Sequence, residues 1–226
     1  MKIFTKARSI IETISHDRFR RNIFHKYKDF TMVPEQIYKS NLEIAVMVQK
    51  IPGCIVECGV WKGGMIAGIS EITGKNRNYY CFDSFEGLPP AKDIDGESAI
   101  RWQKDTTGKT YYENCKADPN AVHEAFELSG VKKYHIIKGW FEETIPTYSF
   151  EESIALLRID ADWYDSTSIC LESLYDKVAI GGIIIFDDYF TWDGCSRAVH
   201  DFLSRRTSAE RLRNYSGISY LLKTCG

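Results

Sequence analysis

The chain has 226 residues, enough for one large domain with added elements. Hydrophobic residues at 44% and charged residues at 27% are ordinary for a globular protein and exclude collagen-like, low-complexity and disordered classes. With 29 basic and 31 acidic residues the net charge is −2, so no global field holds a nucleic-acid backbone and no nucleic-acid partner is expected.

Residues 1–30 carry Ile3, Phe4, Ala7, Ile10, Ile11 and Ile14 at helical spacing, which predicts an amphipathic helical extension ahead of a domain spanning 31–226. Its polar side is basic, with eight Lys and Arg against three acids. Two readings follow: a membrane-surface or partner-binding helix, or an appendage packed on the domain or on a second subunit. The packed appendage is preferred, and a homodimer is expected.

From Ile51 onward short apolar runs alternate with helical patterns. Cys54–Val60, Tyr79–Asp83, Tyr134–Lys138, Ile154–Asp160 and Gly181–Asp187 read as strands, each followed by a helix or a long loop. That predicts an α/β, doubly wound, mostly parallel sheet with helices on both faces. After a helix around Ser196–Arg205, the stretches Arg211–Tyr215 and Ile218–Lys223 flank Ser216-Gly217 as a hairpin would, adding antiparallel closing strands. The segment Glu86–Pro119 shows no clear periodicity and reads as a long functional loop. The seven cysteines include Cys54, Cys58 and Cys81 inside core-like runs, which suits reduced thiols and a cytoplasmic location. The longest uncharged apolar run, Val178 to Phe186, is far too short to cross a bilayer, so no stable membrane insertion is expected.

Three groups of residues point to chemistry. Where the first strand turns into a helix stand Glu57-Cys58-Gly59-Val60-Trp61-Lys62-Gly63-Gly64. Glycines there let a cofactor approach the backbone, although the turn can also be plain. The dinucleotide spacing G-x-G-x-x-G is not met, and Glu57 suits a cationic amino-acid moiety such as that of S-adenosylmethionine. Asp83, twenty residues after Gly63, ends the second strand and is placed to accept ribose hydroxyls. Finally, Asp160 and Asp162 end one strand while Asp187 and Asp188 end another. Neighbouring strands would bring four carboxylates into one crevice, where oxygen-only ligands select a hard ion such as Mg²⁺. Helix capping accounts for one or two of these acids but not for four. A nicotinamide-dependent oxidoreductase shares the glycine turn and Asp83 but has no use for the acid cluster.

These stretches, with Leu157-Arg158-Ile159-Asp160-Ala161-Asp162-Trp163-Tyr164-Asp165-Ser166-Thr167 and Asp187-Asp188-Tyr189, resemble the macrocin O-methyltransferase (TylF/MycF-type) family of S-adenosylmethionine-dependent enzymes. The resemblance implies a class I methyltransferase fold, an Mg²⁺ ion and methylation of a sugar hydroxyl on a glycosylated natural product. A capsule, lipopolysaccharide or nucleotide sugar is the alternative acceptor. By motif, it implies that Asp160, Asp187 and Asp188 hold the metal, Asp162 is the base and Asp83 binds the cofactor ribose with Ser84 beside it. Glu57, Gly59, Gly63 and Gly64 would line the methionine side, with Thr31 and Met32 closing over it. Ala161 stands where the family usually has glycine.

Overall fold

The computed structural model describes residues 16–208 and 210–224. Among them, β1 (Cys54–Cys58), β2 (Tyr79–Asp83), β3 (Tyr134–Lys138), β4 (Ile154–Ile159), β5 (Val178–Phe186), β6 (Arg213–Tyr215) and β7 (Ile218–Leu222) form one seven-stranded sheet. Their order is β3-β2-β1-β4-β5-β7-β6, with β1 to β5 parallel. Every residue of β1 and β4 is buried, which is why both read as apolar runs broken only by Glu57 and Arg158 rather than as alternating ones. Of the closing pair only β7 runs against the parallel set; β6 pairs with it antiparallel and so points the same way as β1 to β5. Ser216 and Gly217 join them with φ of 47° and 88°, the two positive values that match a two-residue turn to the strand twist.

The helices are α1 (residues 16–27), α2 (Glu35–Val46), α3 (Gly64–Thr73), α4 (Glu97–Lys104), α5 (Tyr112–Cys115), α6 (Pro119–Ser129), α7 (Phe141–Thr144), α8 (Tyr164–Leu174) and α9 (Asp193–Arg205). One core, built from α1, α2, α3 and α6, packs on the side chains of Ile55, Leu156 and Ile185. The other, built from α8 and α9, packs on Val56, Leu157 and Phe186. The 86–119 stretch is therefore not simply a loop: it contains α4 and the single turn α5, whose four residues all have φ between 43° and 63°. Asp95, 3% exposed, binds this stretch to the domain by accepting the backbone N–H of Tyr164 at 2.7 Å, a donor at the start of α8 that has no partner within the helix.

Of the predicted extension, Ile3 to Ile14 lie outside the described residues. The described part packs on the domain. Tyr27 is fully buried and its hydroxyl donates to Glu71 at 2.8 Å, while Ile23 is 5% exposed in the same core. Arg20 pairs with Glu43, Arg21 with Glu35 and Lys26 with Glu71, so three of the described basic residues are neutralised within the domain. No described helix is long and apolar enough to cross a membrane.

Candidate active site

The strand register brings the predicted acids together. Cys58 pairs with Phe82 across β1 and β2, and Ile159 pairs with Phe186 across β4 and β5. The residues that follow are therefore level: Gly59 N–H donates to Phe82 O, Asp160 N–H to Cys58 O and Asp187 N–H to Ile159 O. Asp83, Gly59, Asp160 and Asp187 stand in a row at the carboxyl ends of adjacent strands, at the point where strand order reverses. That is the place where open parallel sheets bind ligands.

A cavity of about 500 Å³ opens over this row. Met32, Gly59, Asp83, Ser84, Asp160, Asp162, Asp187 and Asp188 all line it, together with Trp61, Trp102, Trp140 and Trp192. Thr31, Glu57, Gly63 and Gly64 do not. The Thr31 hydroxyl instead accepts the Val33 N–H at 3.1 Å, and Gly63 starts α3 in a left-handed conformation with φ +80°. Gly59 has φ +85°, and a Cβ there would lie 1.8 Å from the Asp160 carbonyl oxygen, so only glycine fits between β1 and β4.

Asp83 is tied at both oxygens. It accepts the Trp61 N–H at 2.8 Å and the Phe85 N–H at 2.6 Å, both from residues of positive φ. Burial pushes its carboxyl above the ordinary range against these hydrogen bonds. Ser84 accepts the Glu86 N–H and donates to Gly87 O, closing the turn that follows.

Oxygens of Asp160, Asp187 and Asp188 lie within 4.8 Å of one another, a donor set without nitrogen or sulfur that fits a hard divalent cation such as Mg²⁺. Asp162 joins them, but not as an extension of the strand: its φ is 55°, and its N–H donates to Asp188 Oδ2 at 3.0 Å. Strand alternation does not set its direction, because β4 ends at Ile159 and a tight turn re-aims Asp162. Trp192 donates its indole N–H to Asp162 Oδ1 at 2.9 Å. Burial, then the charge of Asp160, pushes the Asp162 carboxyl up to about 8, and burial against the pull of Arg158 brings Asp160 to about 6. Asp188 is pushed well up by burial and by its three acidic neighbours.

Arg158 is the residue that sequence reasoning passed over. It is fully buried, inside the apolar run of β4, and its guanidinium meets Glu57 at 2.5 Å, Asp160 at 2.7 Å and Asp187 at 2.5 Å. The register explains this. Arg158 lies opposite Glu57 on β1 and Ile185 on β5, and side chains two residues apart on a strand share a face, which brings Asp160 and Asp187 to its side. Glu57, 1% exposed, therefore faces Arg158 rather than the cavity, and burial pushes its carboxyl up to about 8 against the pull of that cation. The available signal was the arginine itself, since a charge in a buried strand demands partners. His200 bonds Tyr189 at 2.8 Å and does not line the cavity.

With this geometry in place, residues 27–219 match the family model of the macrocin O-methyltransferases (TylF). The chain belongs to the TylF macrocin O-methyltransferase family. It is 30% identical over 171 residues to the demethyldecarbamoylnovobiocin O-methyltransferase of Streptomyces niveus, covering 74% of this chain and 64% of that protein. It is 29% identical over 172 residues to the mycinamicin III 3''-O-methyltransferase of Micromonospora griseorubida, covering 72% of this chain and 65% of the relative. The chain thus spans just under two thirds of the length of these relatives. Among solved structures it is similar to the O-methyltransferase NovP, with a TM-score of 0.72 and 26% identity over 87% of this chain and 83% of that one. Likeness in fold alone extends to the calicheamicin methyltransferase CalS11, at a TM-score of 0.63 and 23% identity over 80% and 76% of the two chains. For a TylF-family chain, the row of strand-end acids is the feature to which a mechanism must be fitted.

Proposed function

We propose that this chain is a divalent-cation-dependent O-methyltransferase that carries a methyl group from S-adenosylmethionine to a sugar hydroxyl of a glycosylated natural product. The observation that carries this reading is the cavity with Asp83 at one end and the Asp160, Asp187 and Asp188 oxygens at the other. Support for the natural-product glycoside comes from the names of the relatives and from the lining. Among the described residues that line the cavity there is no Lys or Arg to hold a diphosphate, while four tryptophans offer apolar faces. This favours a neutral glycoside over a nucleotide sugar.

Bound S-adenosylmethionine would supply the electrophilic methyl group, and a divalent cation held by Asp160, Asp187 and Asp188 would supply positive charge beside the reacting hydroxyl. The chain does the rest. Asp83 accepts from the ribose, with Ser84 shaping the turn beside it. Gly59 and Met32 bound the cofactor's part of the cavity, while Thr31, Gly63 and Gly64 set the backbone that carries them. Asp162 takes the hydroxyl proton, and burial with the charge of Asp160, which push its carboxyl up, favour holding that proton once taken. Trp192 fixes Asp162 Oδ1, leaving the other oxygen to face the acceptor. Alignment of oxygen and methyl inside the cavity can lower the barrier by roughly 7–11 kcal/mol.

The test is methyl transfer from labelled S-adenosylmethionine to a panel of glycosides and nucleotide sugars, run with Mg²⁺ and with EDTA. Label in a neutral glycoside, lost with EDTA and restored by Mg²⁺, is expected. Transfer only to nucleotide sugars, or full turnover in chelated enzyme, would overturn the corresponding part of the reading.

A further inference from the structure

We propose that Arg158 is a positioning residue that presets the carboxylates of Asp160 and Asp187 for a divalent cation; this rests on the reading of those acids as metal ligands. Two observations carry it. Arg158 Nη1 donates to Asp160 Oδ2 at 2.7 Å, and Nη2 forms an ion pair with Asp187 Oδ1 at 2.5 Å without hydrogen-bond geometry, so one guanidinium spans the ends of β4 and β5. Its planar fork holds two carboxylates at a fixed separation, which a lysine ammonium on a flexible stem cannot do. Behind the site, Asn41 of α2, fully buried, accepts from Arg158 Nε at 3.3 Å and donates to Ile37 O at 3.1 Å, while Glu57 accepts from Nη1, the nitrogen that also meets Asp160. Asn41 thus anchors the guanidinium at Nε, away from the nitrogens that meet the acids.

The arrangement also explains why a fully buried arginine is kept in a central strand. A buried cation shared by three carboxylates is poor evidence for stability, since an apolar residue often serves the core as well or better. Its geometry gives it a different role, because both Asp160 and Asp187 border the cavity, and partners that orient metal ligands typically govern affinity by 10–100-fold. Arg158 does not line the cavity itself, so it acts through Asp160 and Asp187 alone.

Arg158→Lys and Asn41→Leu test this in the full chain. Arg158→Lys keeps the positive charge and removes the fork, whereas Asn41→Leu keeps the arginine and removes its rear anchor. Mn²⁺ affinity is read directly by calorimetry and by water proton relaxation, alongside S-adenosylmethionine affinity and the melting temperature in EDTA. About 10- to 100-fold weaker Mn²⁺ binding is expected for Arg158→Lys and a smaller loss in the same direction for Asn41→Leu. Cofactor affinity should stay within about twofold. Should Arg158→Lys fail to fold, Asn41→Leu carries the test, because it leaves the arginine and its acids in place. Both variants binding Mn²⁺ as tightly as the native chain, with only the melting temperature lowered, would reduce Arg158 to a structural charge and overturn the inference. A native chain that binds no Mn²⁺ would instead overturn the metal reading, and this inference with it.

Discussion

The indole N–H of Trp192 lies 2.9 Å from Asp162 Oδ1, linking the proposed base just past the end of β4 to the entry of α9. Trp192 is itself held edge-to-face by Trp163 at 5.3 Å and Trp102 at 6.0 Å. Asp162→Asn retains an oxygen for this bond but loses the ability to take a proton. Turnover should fall 10²- to 10⁴-fold, about 3–5 kcal/mol of barrier, with the melting temperature and S-adenosylmethionine affinity nearly unchanged. Near-normal turnover at saturating acceptor would remove Asp162 from the role.

The acid cluster makes the metal-free protein sensitive to pH. Burial raises the Asp160 carboxyl to about 6 and that of Asp162 to about 8, whereas both would ionise near 3.8 in the unfolded chain. Between about pH 4 and pH 8 the unfolded state therefore binds fewer protons than the folded one, and stability falls as pH rises. In EDTA the melting temperature should drop from pH 5.5 to pH 8, and added Mg²⁺ should recover more at pH 8, where protons compete less for the ligands. Scanning fluorimetry at several pH values checks this, and a flat profile with equal Mg²⁺ gains would contradict it.

Asp83 serves the fold as well as the proposed cofactor site, because it accepts the N–H groups of Trp61 and Phe85. Asp83→Ala should weaken S-adenosylmethionine binding roughly ten- to over a hundredfold, the equivalent of losing a charge-assisted hydrogen bond of about 1.5–3 kcal/mol. It should also lower the melting temperature by several degrees, which a purely exposed acid would not do. Calorimetry and a thermal melt separate the two effects; unchanged affinity would refute the ribose assignment.

Tyr27 makes the extension part of the domain from its last helical turn. Its ring is fully buried and its hydroxyl meets Glu71, so Tyr27→Ala should cost about 3–5 kcal/mol, with Tyr27→Phe closer to about 1 kcal/mol. Deleting residues 1–28 should accordingly lower the urea midpoint sharply. If that truncation melts with the full chain, the packing of α1 contributes little.

Much of this molecule was legible in the sequence, and the legible part has a common physical basis. Buried parallel strands read as continuous apolar runs, so β1, β2, β4 and β5 and the acids that end them could be placed from local pattern alone. Ser216-Gly217 marked its hairpin because few residues other than glycine and its polar substitutes accept positive φ. What local pattern could not carry was the pairing of residues far apart in the chain. Arg158 reads as a blemish in an apolar strand, yet its partners Asn41 and Glu57 are 117 and 101 residues away. The 86–119 stretch has no periodicity to mark it as ordered, and it is secured by Asp95 reaching an N–H 69 residues further on. The direction of Asp162 lay beyond local pattern for the same reason: its left-handed turn goes with the contacts to Asp188 and Trp192, not with the strand before it. Sequence alone determined which acids stand at the strand ends, because burial imposes its pattern residue by residue. Only the tertiary structure decided which of them meet an arginine, an indole or one another, because those choices depend on register between strands that the chain joins through long crossovers.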